Sequence, residues 1–225
     1  MKSILSSLRC DADADAINAE HDLAEAKRVG MMMFFDADVP KRHFAIPAIL
    51  PGPWADKLKD LEGQIGKGCL LALLGKRGTG KTQMAVELMR HTCVQGRSAR
   101  YTTAMRFFTA IKDSYKGDTT ESAVLNQYLK PQILVIDEAQ ERGETGWEDR
   151  LLTHLIDCRY GAMKDTVLVS NLSRREFERA IGSSILSRMS ETGGIIECNW
   201  PSFRDTAKHG PDAAAAVRQK QEGGV

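Results

Sequence analysis

The chain has 225 residues, 42% of them hydrophobic, and 31 Lys plus Arg against 30 Asp plus Glu give a formal net charge of +1. That length suits one domain of ordinary to large size plus an appendage, and the even charge argues neither for nor against nucleic acid, for which only a local basic face would speak. Five widely spaced cysteines, mostly inside apolar runs, resemble neither a disulfide framework nor a zinc site, and no apolar run approaches the roughly eighteen residues of a membrane span, so a cytoplasmic location without membrane contact is expected.

In chain order, residues 1 to about 30 are rich in alanine and charge, and Ile17 to Val29 predicts a small helix in which Glu25 and Arg28 can pair across one turn. A solvated terminal helix and a partner-docking arm both fit this stretch. Met31-Met32-Met33-Phe34-Phe35 is expected to join the core, because soluble proteins seldom expose such patches. Pro40, Pro47, Pro51 and Pro53 mark an extended surface linker, which places an N-terminal helical arm at residues 1–40 and the main domain at 41–206. Leu58 and Leu61 begin a short amphipathic helix, and Gly63, Gly66 and Gly68 turn the chain into its first strand.

The apolar run Cys69 to Leu74 leads into Gly75-Lys76-Arg77-Gly78-Thr79-Gly80-Lys81-Thr82, and Gln83 to Met89 continues as a helix. The octet fits G-x-x-x-x-G-K-[ST] at every fixed position, in the required strand-to-helix context. Glycines let successive backbone N–H groups converge on an anion, and the N-terminus of the following helix adds partial positive charge. Lys81 can reach the β- and γ-phosphates of ATP, and Thr82 can place its hydroxyl on Mg2+. The nucleotide-binding set is therefore Gly75, Lys76, Arg77, Gly78, Thr79, Gly80, Lys81, Thr82 and Gln83.

Met84, Ala85, Leu88, Met89 and Cys93 share one face of the helix after the loop. Ser98 to Thr103 reads as a second strand, followed by a helix whose Ala104, Phe108, Ile111 and Tyr115 form an apolar stripe, with Phe107 and Lys112 off it. Glu121 to Leu129 is a further short helix. Ile133-Leu134-Val135-Ile136-Asp137-Glu138 is a continuous apolar strand ending in two carboxylates, where a parallel sheet presents its ligand-facing groups. Asp137 can hold the magnesium through its water shell and Glu138 can polarise the attacking water. A polar loop, Gln140 to Gly146, precedes a long helix with Leu151, Leu152, Leu155, Ile156 and Met163 on one side. Thr166 to Ser170 is another buried strand, and Asn171 at its end can reach the γ-phosphate or orient water. Helices at Arg174–Ile181 and Ser183–Ser190 lead to a last strand, Gly194 to Trp200, before a polar tail at residues 207–225.

Alternating strands and helices after a phosphate loop predict a three-layer α/β fold of the P-loop NTPase class. The order of motifs resembles something narrower. Gly75 to Thr82, Ile133 to Glu138, Thr166 to Leu172, Ile185-Leu186-Ser187-Arg188-Met189 and Asn199-Trp200-Pro201-Ser202-Phe203-Arg204 look like the AAA+ ATPases of the bacterial DnaC helicase-loader and IstB transposition-ATPase group. Ile111 to Tyr115, Leu155 to Tyr160 and the closing Trp200 to Arg204 place it nearer the loaders. The resemblance implies an AAA+ (ASCE) domain with a five-stranded parallel sheet and no C-terminal helical lid. It makes Lys81, Thr82, Asp137 and Glu138 the Walker residues, Asn171 the first sensor, and Arg188 the arginine finger that reaches a neighbouring subunit's ATP in a homo-oligomer.

It also implies Mg2+-dependent ATP hydrolysis, a replicative DNA helicase as partner, and single-stranded DNA held by the regions Met105 to Leu129 and Gln140 to Arg150. These regions offer Tyr115, Lys112, Lys116, Thr145 and Trp147. Tyr115 falls on its helix's apolar face, where core packing competes with such a role, whereas Trp147 in a polar loop is the better candidate. Two other functions stay open: a transposition ATPase on duplex DNA, and an adaptor in which ATP is a switch and hydrolysis is negligible.

Overall fold

The computed structural model describes residues 24–44, 52–141, 143 and 146–204. A helix, α1, is described over residues 24–35, and a 3-10 turn follows at Lys41–His43. The body then runs α2 (Pro53–Glu62), β1 (Leu70–Leu74), α3 (Lys81–Val94), β2 (Ala99–Thr103), α4 (Ala104–Ser114), α5 (Glu121–Leu129), β3 (Ile133–Asp137), α6 (Gly146–Gly161), β4 (Asp165–Ser170), α7 (Arg174–Ile181), α8 (Ser183–Thr192) and β5 (Gly194–Glu197).

The strands form one parallel sheet in the order β2-β3-β4-β1-β5. β1, β3 and β4 are the continuous apolar runs, and they occupy the three central positions because only there are both faces of a strand covered. Side-chain alternation divides the core. Leu70, Ala72, Leu74, Leu134, Ile136 and Leu168 pack under α4 to α8, while Leu71, Leu73, Ile133, Val135, Val167 and Val169 pack under α2 and α3. This is the three-layer α/β fold expected of a P-loop AAA+ domain. Thr103 pairs with Asp137 and Leu74 with Ser170, so the loops after β1, β3 and β4 leave the sheet at one edge.

One buried polar lock holds the opposite ends of the strands. Arg159, fully buried on α6, donates to the carbonyls of Tyr128, Pro131, Gln132 and Asp165 and to the Thr166 hydroxyl. The buried Asp165 carboxylate accepts the N–H groups of Gly66, Gly68 and Cys69, which fixes the entry into β1. Burial lowers the Arg159 pKa to about 10, and Asp165 opposes that shift.

Several local expectations change. In Met31–Phe35 only Phe34 is fully buried, whereas Met32 and Phe35 are more than half exposed, because a single helix offers one face to the core. Phe34, Ala37 and Val39 join the core beneath α2 and α3, so the end of the expected arm packs as part of the body. The short helix α2 opens at Pro53, with proline in its first turn, and Leu61 lies at its end. Phe107 is fully buried, because α5 covers that side of α4 and sets Tyr128 edge-on against it at 4.8 Å between ring centres. Met163 lies beyond the end of α6 and is exposed, and β5 stops at Glu197 rather than Trp200. The Glu25–Arg28 pair forms at 2.7 Å on the exposed surface of α1. Residues 1–23, residues 45–51 of the linker and the tail from 205 onward lie outside the described residues. Among the described residues, no helix is long and apolar enough to cross a membrane.

Candidate nucleotide-binding site

A cleft of about 670 Å³ opens at the shared edge of the sheet. Arg77, Gly78, Gly80, Lys81, Thr82, Gln83, Asp137, Glu138 and Asn171 line it, so side chains from three separate strand ends converge as expected. Gly75, Lys76 and Thr79 instead line a second cleft of about 930 Å³, on the far side of the loop, to which Arg77 and Asn171 also belong.

The loop turns through left-handed backbone at Gly78 (φ 89°) and Gly80 (φ 77°) and enters α3 at Lys81. Lys81 is almost entirely buried, and its ammonium donates to the carbonyls of Gly75 (2.7 Å) and Lys76 (2.8 Å). Burial is the main cause of its lowered pKa; Arg204 and Arg77 add repulsion, and Cys198 and Asp137 oppose it. A cation held this way by carbonyls is poised to exchange them for phosphate oxygens.

Thr82 donates its hydroxyl to Asp137 Oδ2 at 2.8 Å, and the Tyr101 hydroxyl donates to the same oxygen at 2.8 Å. Asp137 Oδ1 accepts the Glu138 N–H at 2.7 Å. A hydroxyl and a carboxylate side by side are the hard oxygen donors that Mg2+ prefers, so Thr82 and Asp137 fit that ion. Tyr101 sits almost fully buried on β2 and was not distinguished in the sequence from an ordinary strand tyrosine. Only the register Thr103 to Asp137 brings its hydroxyl to the carboxylate. Its phenol is pushed well above its ordinary range, first by burial and then by the Asp137 charge.

Glu138 is half-buried at the cleft wall, with left-handed backbone at φ 53°. Desolvation, then the charges of Glu141 and Asp137, raise its carboxyl pKa above the ordinary 4.5. Asn171 follows β4 and lines the cleft, its N–H bonded to the Gln140 side chain at 3.3 Å.

The outer wall was not legible. Arg42 and His43 from the 3-10 turn, and Phe203 and Arg204 from the chain after β5, also line the cleft. His43 Nδ1 lies 2.7 Å from Gln83 Oε1, and Gln83 donates to Glu87. Proline spacing made the His43 segment look like a linker, and only folding carries it back over α3.

Arg188 does not line the cleft. It sits on α8 with Nε 3.1 Å from Asp157 Oδ1, bonded to the Ser184 carbonyl and hydroxyl and stacked near Tyr160. The expected DNA residues divide. Trp147 is in the first turn of α6 rather than in a loop, half-buried against Phe108. Tyr115 caps the end of α4 and is 55% exposed, contrary to its apparent place on the apolar stripe. The two rings meet edge-on at 6.4 Å between centres, and Lys112 lies over Trp147 while pairing with Glu148 at 2.8 Å. Lys116 is exposed nearby, and Thr145 lies outside the described residues.

Known proteins bear on this geometry. Over 132 residues the chain is 27% identical to the replicative helicase loader DnaC of Escherichia coli (strain K12), covering 58% of this chain and 54% of that protein. It is 27% identical over 148 residues to the uncharacterized protein YdaV of the same organism, covering 65% of this chain and 60% of that one. The chain thus spans about half the length of the DnaC relatives it matches. A crystal structure of the DnaC helicase loader superposes with a TM-score of 0.61 at 18% identity, covering 70% of this chain and 99% of that one. Replication initiator DnaA bound to AMPPCP and single-stranded DNA superposes with a TM-score of 0.61 at 18% identity, over 73% of this chain and 52% of that one. At those identities the structures speak for the fold. The family model of the IstB-like ATP binding protein matches residues 57–210, the span that carries the loop, both carboxylates and Asn171, and the chain accordingly belongs to that family.

Proposed function

We propose that this chain is a DnaC-like loader: an AAA+ ATPase that binds ATP and single-stranded DNA and, as a cytoplasmic homo-oligomer, hydrolyses ATP to load a replicative helicase. One observation carries the ATPase reading: the Thr82 and Tyr101 hydroxyls and the Glu138 backbone N–H all donate to Asp137 beside a phosphate loop, in a cleft that Glu138 and Asn171 also line. Loop N–H groups and Lys81 bind the phosphates, and Thr82 and Asp137 would hold Mg2+. When bound, Mg2+ neutralises charge developing on the β- and γ-phosphate oxygens. Tyr101 orients the Asp137 carboxylate, Glu138 accepts a proton from the attacking water, and Asn171 orients that water. Arg188, which does not line its own cleft, reaches the ATP of the next subunit.

The helicase and single-stranded DNA are supported by likeness to the loaders, whose name states helicase loading, and to an initiator solved with single-stranded DNA, while the arginine in trans rests on the resemblance of the Ile185 to Met189 motif alone. The exposed Tyr115, with Trp147, Lys112 and Lys116, supplies the stacking surface and charge that single strands require. The test is Mg2+-dependent ATP turnover with Lys81→Ala as control, joined to capture of the host's replicative helicase. Wild-type protein that binds neither ATP nor helicase removes the reading.

The family model, which is named for the IstB-like proteins, supports a second reading as a transposition ATPase. A strong preference for duplex over single-stranded DNA in a binding titration would establish it over the first.

A further inference from the structure

We propose that Trp200, Trp54 and the Phe203 backbone form a strap that aims the phosphate-loop amides into the cleft, which makes the two tryptophans positioning residues for nucleotide binding; this rests on the cleft being a nucleotide site. The Phe203 N–H donates to the Gly78 carbonyl at 2.9 Å, Trp200 Nε1 to the Thr79 carbonyl at 2.7 Å, and Trp54 Nε1 to the Gly80 carbonyl at 3.2 Å. Three successive loop carbonyls are thus engaged by donors from outside the loop.

The consequence follows from peptide geometry. In a planar trans peptide the carbonyl of one residue and the N–H of the next point in opposite directions. Drawing the carbonyls of Gly78, Thr79 and Gly80 toward the strap therefore turns the N–H groups of Thr79, Gly80 and Lys81 away from it. Those amides are the ones a phosphate loop offers to its anion.

Something must make this choice. Gly78 and Gly80 leave the two peptides around Thr79 free to turn over with little steric penalty, so local sterics do not select the inward face there, whereas the Gly80 carbonyl also accepts the Met84 N–H of α3 at 2.9 Å and Trp54 reinforces an orientation the helix already favours. The strap also lies too close for larger residues. A β-carbon on Gly80 would come within 2.8 Å of Trp54 Nε1, and one on Gly78 would collide with the Ser202 hydroxyl. Both glycines therefore answer to a turn and to the chain packed against it.

The donors come from distant parts of the sequence. Trp54 lies in the first turn of α2, ahead of the sheet, and Trp200 to Phe203 follow β5, an edge strand. Trp54 is fully buried, whereas Trp200 is half-buried, so the Trp200 N–H can be removed without emptying a core site. The strap gives a role to the tryptophan of the closing Trp200-Pro201-Ser202-Phe203-Arg204 motif and to the backbone at Phe203.

The test uses the full chain and two substitutions that keep a ring but lose the donor, Trp200→Phe and Trp54→Phe. Melting temperature, affinity for Mg·ATP, affinity for inorganic tripolyphosphate and the Gly80 amide resonance are read for each. A structural role alone would move only the melting temperature. We expect both phosphate ligands to weaken together, by about three- to tenfold per lost bond. The Gly80 amide, in the peptide whose carbonyl Trp200 holds, shifts in ligand-free Trp200→Phe. Affinities within twofold of wild type in the folded variants would overturn the strap and leave the nucleotide site standing. Wild-type protein that takes up no Mg·ATP would overturn both.

Discussion

Glu138 combines two unusual properties at one position. It is a non-glycine residue in left-handed backbone, and its carboxyl titrates above the ordinary glutamate range because the cleft wall desolvates it beside Glu141 and Asp137. If it accepts a proton from water, Glu138→Gln should lower ATP turnover by about a hundredfold or more while nucleotide affinity is kept, as separate rate and binding measurements would show. The pH dependence has a definite sign. Only the ionised carboxylate accepts a proton, so turnover rises as pH climbs through a pKa held above 4.5, and this acid limb is absent from the residual rate of Glu138→Gln. The backbone gives an independent check. Glu138→Gly relieves the left-handed penalty and should raise unfolding stability by about 1 kcal/mol in a urea titration while turnover is lost.

At the scale of elements, the buried lock and the aromatic surface separate structure from ligand binding. Arg159 ties α6 to the α5–β3 connection and to the start of β4, and no shorter cation reproduces its planar set of donors. Arg159→Leu should destabilise the fold by about 3–5 kcal/mol in urea unfolding, because it strands several buried carbonyls at once, and Arg159→Lys should recover little of that loss. On the α4–α6 surface the two aromatics should behave differently. Tyr115→Ala should leave the melting temperature nearly unchanged and weaken single-strand binding by about 1–3 kcal/mol. Trp147→Ala, which removes packing against Phe108, should cost about 2 kcal/mol of stability as well, so both readouts move.

For the whole molecule, the proposal that Arg188 acts on a neighbouring subunit's ATP sets how turnover depends on assembly. In the single chain it is engaged by Asp157 and Ser184 and is not among the residues that line the cleft. A charge supplied in trans can be worth three to five powers of ten in related phosphoryl transfers. Turnover per subunit should therefore rise with protein concentration, and Arg188→Ala should abolish that rise while ATP binding persists. An undiminished rate at saturating protein would remove Arg188 from the site.

Local pattern alone specified the sheet's central strands and the phosphate loop and put Asp137, Glu138 and Asn171 at strand ends, because continuous apolar runs, glycine spacing and the polar residues that close a strand are all read over a few residues. Its stripe rule for α4 misplaced both Phe107 and Tyr115, since α5, not periodicity, decides which side of that helix is covered. Only the tertiary structure brought Tyr101 to Asp137, His43 to Gln83, and Trp54 and Trp200 to the loop carbonyls. Those contacts join segments far apart in the chain, and the β2–β3 register behind the first, like the packing of the 3-10 turn, α2 and the chain after β5 behind the others, belongs to no single stretch of residues.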